Sequence, residues 1–179
     1  MRTRNGATLL AAALLAAGCG SRGDAPAFGR EAARAEIRAA VADAGLPESE
    51  LPGPGEAAVT ATPSTERERV AQRAAACAAG WQYIGPAVDG SLGKYGKALT
   101  ALEGKGWAAS GERKEVPIGE DGRLTQVVLK KDGWTLYARH MPSRALGADT
   151  VSFNATEDAC MRQFTEREVG LLSGEEAGH

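Results

Sequence analysis

Few residues in this chain could carry chemistry, and their spacing is informative. Ser91 and Lys94 stand three apart, so on a helix they share a face where an amine could take a hydroxyl proton. The histidines are His140 and the terminal His179. A histidine acting as a general base needs a proton donor within hydrogen-bond reach, and the sequence does not name one. Glu120-Asp121 and Glu157-Asp158 are acid pairs. Both are adjacent residues in expected turns, which does not make a carboxylate pair across a cleft. Zinc asks for three or four well-placed ligands, mostly Cys and His, and calcium in an EF-hand asks for a fixed run of oxygen ligands. Neither spacing is present. No catalytic set, metal site or cofactor is therefore expected.

Ser91-Leu92-Gly93-Lys94, with Ser152-Phe153-Asn154 downstream, is similar to the Ser-x-x-Lys and Ser-x-Asn motifs of penicillin-binding proteins and serine β-lactamases. No Lys-Thr/Ser-Gly follows Asn154, and the chain is far shorter than that fold requires. Ser91 reads instead as a helix cap and Lys94 as a residue of a solvated first turn. Gly104-Lys105-Gly106 follows a helix and not a strand, so it is no dinucleotide fingerprint.

The N-terminus has a stronger pattern. Arg2 and Arg4 precede an unbroken apolar run from Leu9 to Ala17, followed by small residues. This is the layout of a secretory signal, and the run is about half of the ~20 residues a membrane-spanning helix needs. Leu15-Ala16-Ala17-Gly18-Cys19 resembles the lipobox of bacterial lipoproteins. Ala16 stands three before the cysteine, where that family usually has Leu. The resemblance implies cleavage after residue 18 and a diacylglyceryl group on Cys19. Two acyl chains hold a protein firmly to a membrane, because each buried methylene contributes about 0.8 kcal/mol. The expected location is the outer face of the cell membrane, with the membrane itself as a partner through the lipid. Ordinary cleavage at an Ala-x-Ala-like site, leaving Cys19 in a free tail, is the alternative. The Ala-, Gly- and Arg-rich style is similar to the small secreted lipoproteins of actinobacteria, a class and not an activity.

The formal net charge is −2, and removal of residues 1–18, with Arg2 and Arg4, leaves about −4. Such a balance provides no electrostatic reason to expect nucleic acid. Beyond Cys19, the cysteines are Cys77 and Cys160. In an oxidising compartment such a pair is expected as a disulfide, worth about 4–5 kcal/mol for a loop of this length. Two separately buried thiols are the alternative.

The elements that position these residues follow from periodicity. Residues 19–64 read as a lipidated tether with a short helix at Arg30 to Ala44, on a thin stripe of Ala33, Ile37, Val41 and Ala44, and then a Pro/Gly linker. Residues 65–164 read as the folded domain. Thr65 with Glu68 forms a capping-box pattern, and Val70, Ala74, Cys77 and Trp81 follow at helical spacing. A second helix is expected from Leu92 to Glu103 on Tyr95, Leu99 and Leu102, capped by Ser91 or Asp89. The period then changes to two. A weak strand at Trp107 to Val116 should be ended by Pro117. Leu124 to Lys130 and Trp134 to His140 form a hairpin about Asp132-Gly133, and Thr150 to Ala155 adds a strand. Residues 165–179 read as a polar tail with at most a loose helical turn.

The expected fold is α+β, with two helices packed on one face of a 3–4-stranded antiparallel sheet, behind a signal peptide and a flexible tether. On the hairpin's second strand, Trp134, Leu136 and Ala138 should face one side and Thr135, Tyr137 and Arg139 the other. Trp81, Trp107 and Trp134 read as plugs in the core. Alternatively one of them, Trp134 among them, joins Tyr137 and Arg139 on an open sheet face to anchor a partner. Two functions remain. One is a non-catalytic module binding an envelope or extracellular protein, which asks for an exposed aromatic patch. The other is a small secreted hydrolase or wall-modifying enzyme, which asks for a cleft where Ser91, His140 or paired acids converge. A small-ligand site between helices and sheet is a third arrangement.

Overall fold

The computed structural model describes residues 27–49, 51–53, 62–118, 122–143 and 145–173. The expected signal peptide, Cys19, residues 50 and 54–61 of the linker, Glu120-Asp121 and residues 174–179 lie outside the described residues.

The first helix, α1 (Arg30–Asp43), is a core element and not a feature of the tether. Its thin stripe is fully used: Ala33, Ile37 and Ala40 have no exposed surface, and Val41 and Ala44 have almost none. The small side chains let α1 lie close against its neighbours. Polar contacts fix it further. Glu36 accepts from the Trp107 indole at 2.8 Å and from the Lys131 amine at 2.6 Å. Phe28 packs edge-on against Trp107, with the Lys131 amine over its ring. The domain therefore begins well before Thr65.

Helix α2 (Glu66–Ala76) starts at the expected capping box, with Thr65 Oγ1 accepting from the Glu68 amide and Glu68 accepting from the Thr65 amide. It stops at Cys77, and strand β1 (Ala78–Pro86) follows at once. Trp81 lies on this strand and not on the helix. The spacing misleads because 77 and 81 fit a helical stripe, while Ala79, Trp81 and Tyr83 equally fit a strand facing the core. Helix α3 (Ser91–Gly104) buries Tyr95, Ala98, Leu99 and Leu102 as its pattern requires. Its N-cap is Gly90 in the left-handed conformation (φ 66°), with no side-chain cap, so neither Ser91 nor Asp89 plays that part.

The weak strand separates into β2 (Ala108–Ala109) and β3 (Lys114–Ile118), both paired with β4 (Gly122–Lys131). Pro117 lies within β3 and does not end it, because β3 is a sheet edge and its outer side needs no amide donor. Strand β5 (Trp134–Ser143) follows the Asp132-Gly133 turn, where both residues take positive φ, 47° and 80°. That is the geometry a two-residue hairpin of this hand demands. Strand β6 (Ala148–Glu157) lies between β5 and β1.

The result is an α+β domain with a six-stranded antiparallel sheet in the order β1-β6-β5-β4-β2, β3 sharing the β4 edge. It has more strands than the three or four expected; β1 was hidden in the helical reading and the weak strand is two. Helices α1 and α3 cover the inner face, around Leu129, Leu136, Val151 and Phe153. The pair expected there was α2 and α3, but α2 stands at the margin. It packs against α5 (Glu166–Ser173), the segment read as a loose tail. Thr165 and Glu168 make a second capping box, and ion pairs Arg73–Glu168 and Arg167–Glu66 join the two helices. The short α4 (Asp158–Met161) links β6 to them. Cys77 and Cys160 are bridged, Cα to Cα 5.6 Å, which ties α2 to the end of the sheet. Among the described residues no helix is long and apolar enough to cross a membrane.

Candidate functional site

Two places bring potentially functional side chains together, one on each face of the sheet. The inner one is a polar corner of the core. Ser91 opens α3, and its Oγ lies 2.9 Å from Nε2 of His140 on β5. His140 is 3% exposed and Ser91 8%. Tyr95, one turn along α3, stacks obliquely on the imidazole at 5.7 Å and donates to the Ala138 carbonyl. Burial pushes the Tyr95 hydroxyl up to about 12. Burial also lowers the pKa of His140; the Asp149 carboxylate opposes this and Arg113 adds to it. The imidazole is thus neutral at pH 7 and can accept the Ser91 proton. Asp149 on β6 is itself buried, and it accepts the Val88 amide at 2.8 Å, fixing the turn that delivers Ser91.

This is the start of a nucleophile–base arrangement, assembled from α3, β5 and β6. Acyl transfer needs a substrate carbonyl against Oγ, with donors for its developing charge. Among the described residues, cavities of about 360, 550 and 280 Å³ lie elsewhere, and neither Ser91 nor His140 borders them. What the geometry visibly does is pin the N-terminus of α3 to the sheet. His140, expected at the surface end of a strand, is inside because its strand runs on to Ser143. The Ser-x-x-Lys spacing points from Ser91 to Lys94 and not to His140, which lies 49 residues away and has no local signature of its own.

Among the described residues no helix crosses the centre of the outer face. The alternation on β5 is as read: Trp134, Leu136 and Ala138 are buried, while Tyr137 and Arg139 are exposed. Trp134 is 2% exposed and belongs to the core, so it does not join Tyr137 and Arg139. Trp81 and Trp107 are buried too, and all three tryptophans are core plugs. Register shows what shares the outer face with Tyr137. Across the strands Val128, Tyr137, Asn154 and Gly80 make one row. Lys114, Gln126, Arg139, Ser152 and Gln82 make the next. Arg139 Nε donates to Gln126 Oε1 at 3.1 Å, which holds the guanidinium over the sheet. The Oδ1 of Asn154 is buried without a hydrogen-bond partner. At one end, α4 turns over the face and closes a shelf of about 550 Å³ between Tyr137, Lys130, Met161 and Arg162. Asp158 borders this shelf and is engaged by the Thr135 hydroxyl at 2.6 Å.

A further cavity of about 360 Å³ lies between the end of α1, residues 46–53 and β1, with Trp81 at its base. It is where a small-ligand site between helix and sheet would fall. Among the described residues no three of His, Cys, Asp and Glu gather as a set of metal ligands.

No protein-family model matches the chain, and no curated protein or solved structure does either.

Proposed function

We propose that this chain is a lipid-anchored extracytoplasmic lipoprotein whose domain is a non-catalytic binding module for an envelope or extracellular protein. The outer face of the sheet carries the reading. It places Tyr137, 39% exposed, beside Arg139 on a central strand, with no helix above them among the described residues. Tyr and Arg are the side chains most used as interface anchors, and a rigid sheet holds them at little conformational cost. The lipobox-like Leu15-Ala16-Ala17-Gly18-Cys19 supports the anchor, and the Cys77–Cys160 bridge suits an oxidising compartment. The test has two parts. The intact unreduced mass of protein from the membrane fraction should begin at Cys19 with a diacylglyceryl increment. A photo-reactive residue replacing Val128, beside Tyr137 in the register, should cross-link to a protein in the producing cells. The same residue replacing Leu92, on the opposite layer, should not. A lipid-free mass removes the anchor; absence of cross-linking from position 128 removes the binding face.

The Ser91–His140 contact favours a second reading, hydrolysis through an acyl-Ser91 intermediate. Burial of both groups weighs against it. A fluorophosphonate probe decides: labelling of Ser91 that is lost in Ser91→Ala would establish the enzyme.

A further inference from the structure

The charge that the strands direct to the outer face is one-sided. The protein carries more acid than base. Yet among the described residues every charged side chain that the strands direct outward is cationic: Lys114, Lys130 and Arg139. The strand carboxylates Glu115, Asp149 and Glu157 fall on the inner parity of their strands. Arg162, beyond α4, adds a fourth cation beside the shelf, where the one carboxylate among its lining residues, Asp158, is engaged by the Thr135 hydroxyl. Lys114 and Arg139 occupy one row two strands apart, which places their Cα atoms about 10 Å from each other. Lys130 is two rows along, about 13 Å further up the sheet. Between the cations lie apolar and aromatic side chains. The consecutive outward residues of β5 are Tyr137, Arg139 and Met141, three of the types enriched at the cores of protein interfaces.

Building on the binding reading above, we propose that the partner presents an acidic protein surface to this face. Its carboxylates meet Arg139, Lys130, Lys114 and Arg162, and an apolar side chain rests against Tyr137 and Met141. A second copy of this chain does not fit face to face, because the cations would oppose one another. The spread of the cations over three strands and about 13 Å along the sheet matches a surface or extended segment with several carboxylates. The mixture of apolar and cationic groups favours polypeptide over an acidic polysaccharide, which presents charge and hydroxyls without apolar side chains.

The test uses the full chain. Detergent-solubilised protein is titrated with poly-L-glutamate and, separately, with polygalacturonate, at low and moderate salt. Poly-L-glutamate should bind and weaken steeply with salt, and the double reversal Lys130→Glu/Arg139→Glu should lower its affinity by about tenfold or more. In cells, the same reversal should abolish cross-linking from position 128. Absence of poly-L-glutamate binding, or binding indifferent to the reversal, overturns the proposal. Equal, reversal-sensitive binding of polygalacturonate overturns it in favour of an acidic polysaccharide. Cross-linking at position 128 that survives the reversal overturns the acidic partner and leaves the binding face standing, whereas loss of all cross-linking in the unreversed protein removes the binding face itself.

Discussion

Removing the bridge by Cys77→Ala with Cys160→Ala should lower stability by about 4.5 kcal/mol. The cysteines are 83 residues apart. Closing a loop of that length removes about 15 cal/mol/K from the unfolded chain, which is about 4.5 kcal/mol near room temperature. Alanine is chosen because Cys77 is 2% exposed and a hydroxyl there would add an unrelated burial cost. With a urea slope of about 2 kcal/mol/M for a domain of this size, the unfolding midpoint should fall by about 2 M. The structure adds a local signature. Helices α2 and α5 are joined by ion pairs with solvent-exposed members, which water screens, and by Arg73 over the Phe164 ring. Without the bridge these helices should open before the sheet, so amide exchange in α2 should accelerate more than in β5. A loss under about 1 kcal/mol, or equal acceleration in both elements, would refute the view that the bridge couples the helical pair to the core.

Ile37→Ala should destabilise by about 2–5 kcal/mol in urea unfolding, since Ile37 has no exposed surface. Leu146→Ala, at a position 80% exposed, should stay within about 0.5 kcal/mol. Equal effects would return α1 to the tether. His140 sets a pH dependence: its folded pKa lies below the ordinary 6.5, so below that pH the unfolded chain binds a proton the folded one refuses. Stability due to this group is fully present above 6.5 and falls with acid by up to about 1.4 kcal/mol per pH unit, until the folded pKa is reached. The midpoint difference between pH 7 and 5 should shrink in His140→Gln, and an unchanged difference would show that the imidazole is not held neutral. Thr65→Ala should cost about 1 kcal/mol by removing the acceptor of the Glu68 amide, read in the same unfolding assay.

Much of the sheet was legible in the sequence because its information is local. Strands β4 and β5 alternate, their turn is Asp-Gly, and parity alone places Tyr137 and Arg139 opposite Leu136 and Ala138. The capping boxes at Thr65–Glu68 and Thr165–Glu168 are equally local, although the second lies in a polar, Glu-rich stretch with little apolar periodicity to mark a helix. Cysteine count and the expected compartment were enough to pair Cys77 with Cys160. Other features depend on what lies nearby in space. A stripe of alanines around Ile37 has too little apolar area to announce a core helix, and only the close approach of α3 and β1 makes it one. Trp81 satisfied two periods at once, and strand pairing with Phe153 chose between them. Trp134 could have faced either side of an isolated hairpin; the helices on the inner face settled it. Ser91 and His140 meet because α3 crosses the end of β5, and the cations of the outer face are gathered from β3, β4, β5 and the segment after α4. Hydrogen-bond registers and layer packing act between residues far apart in the chain, so the positions they bring together have no pattern along it.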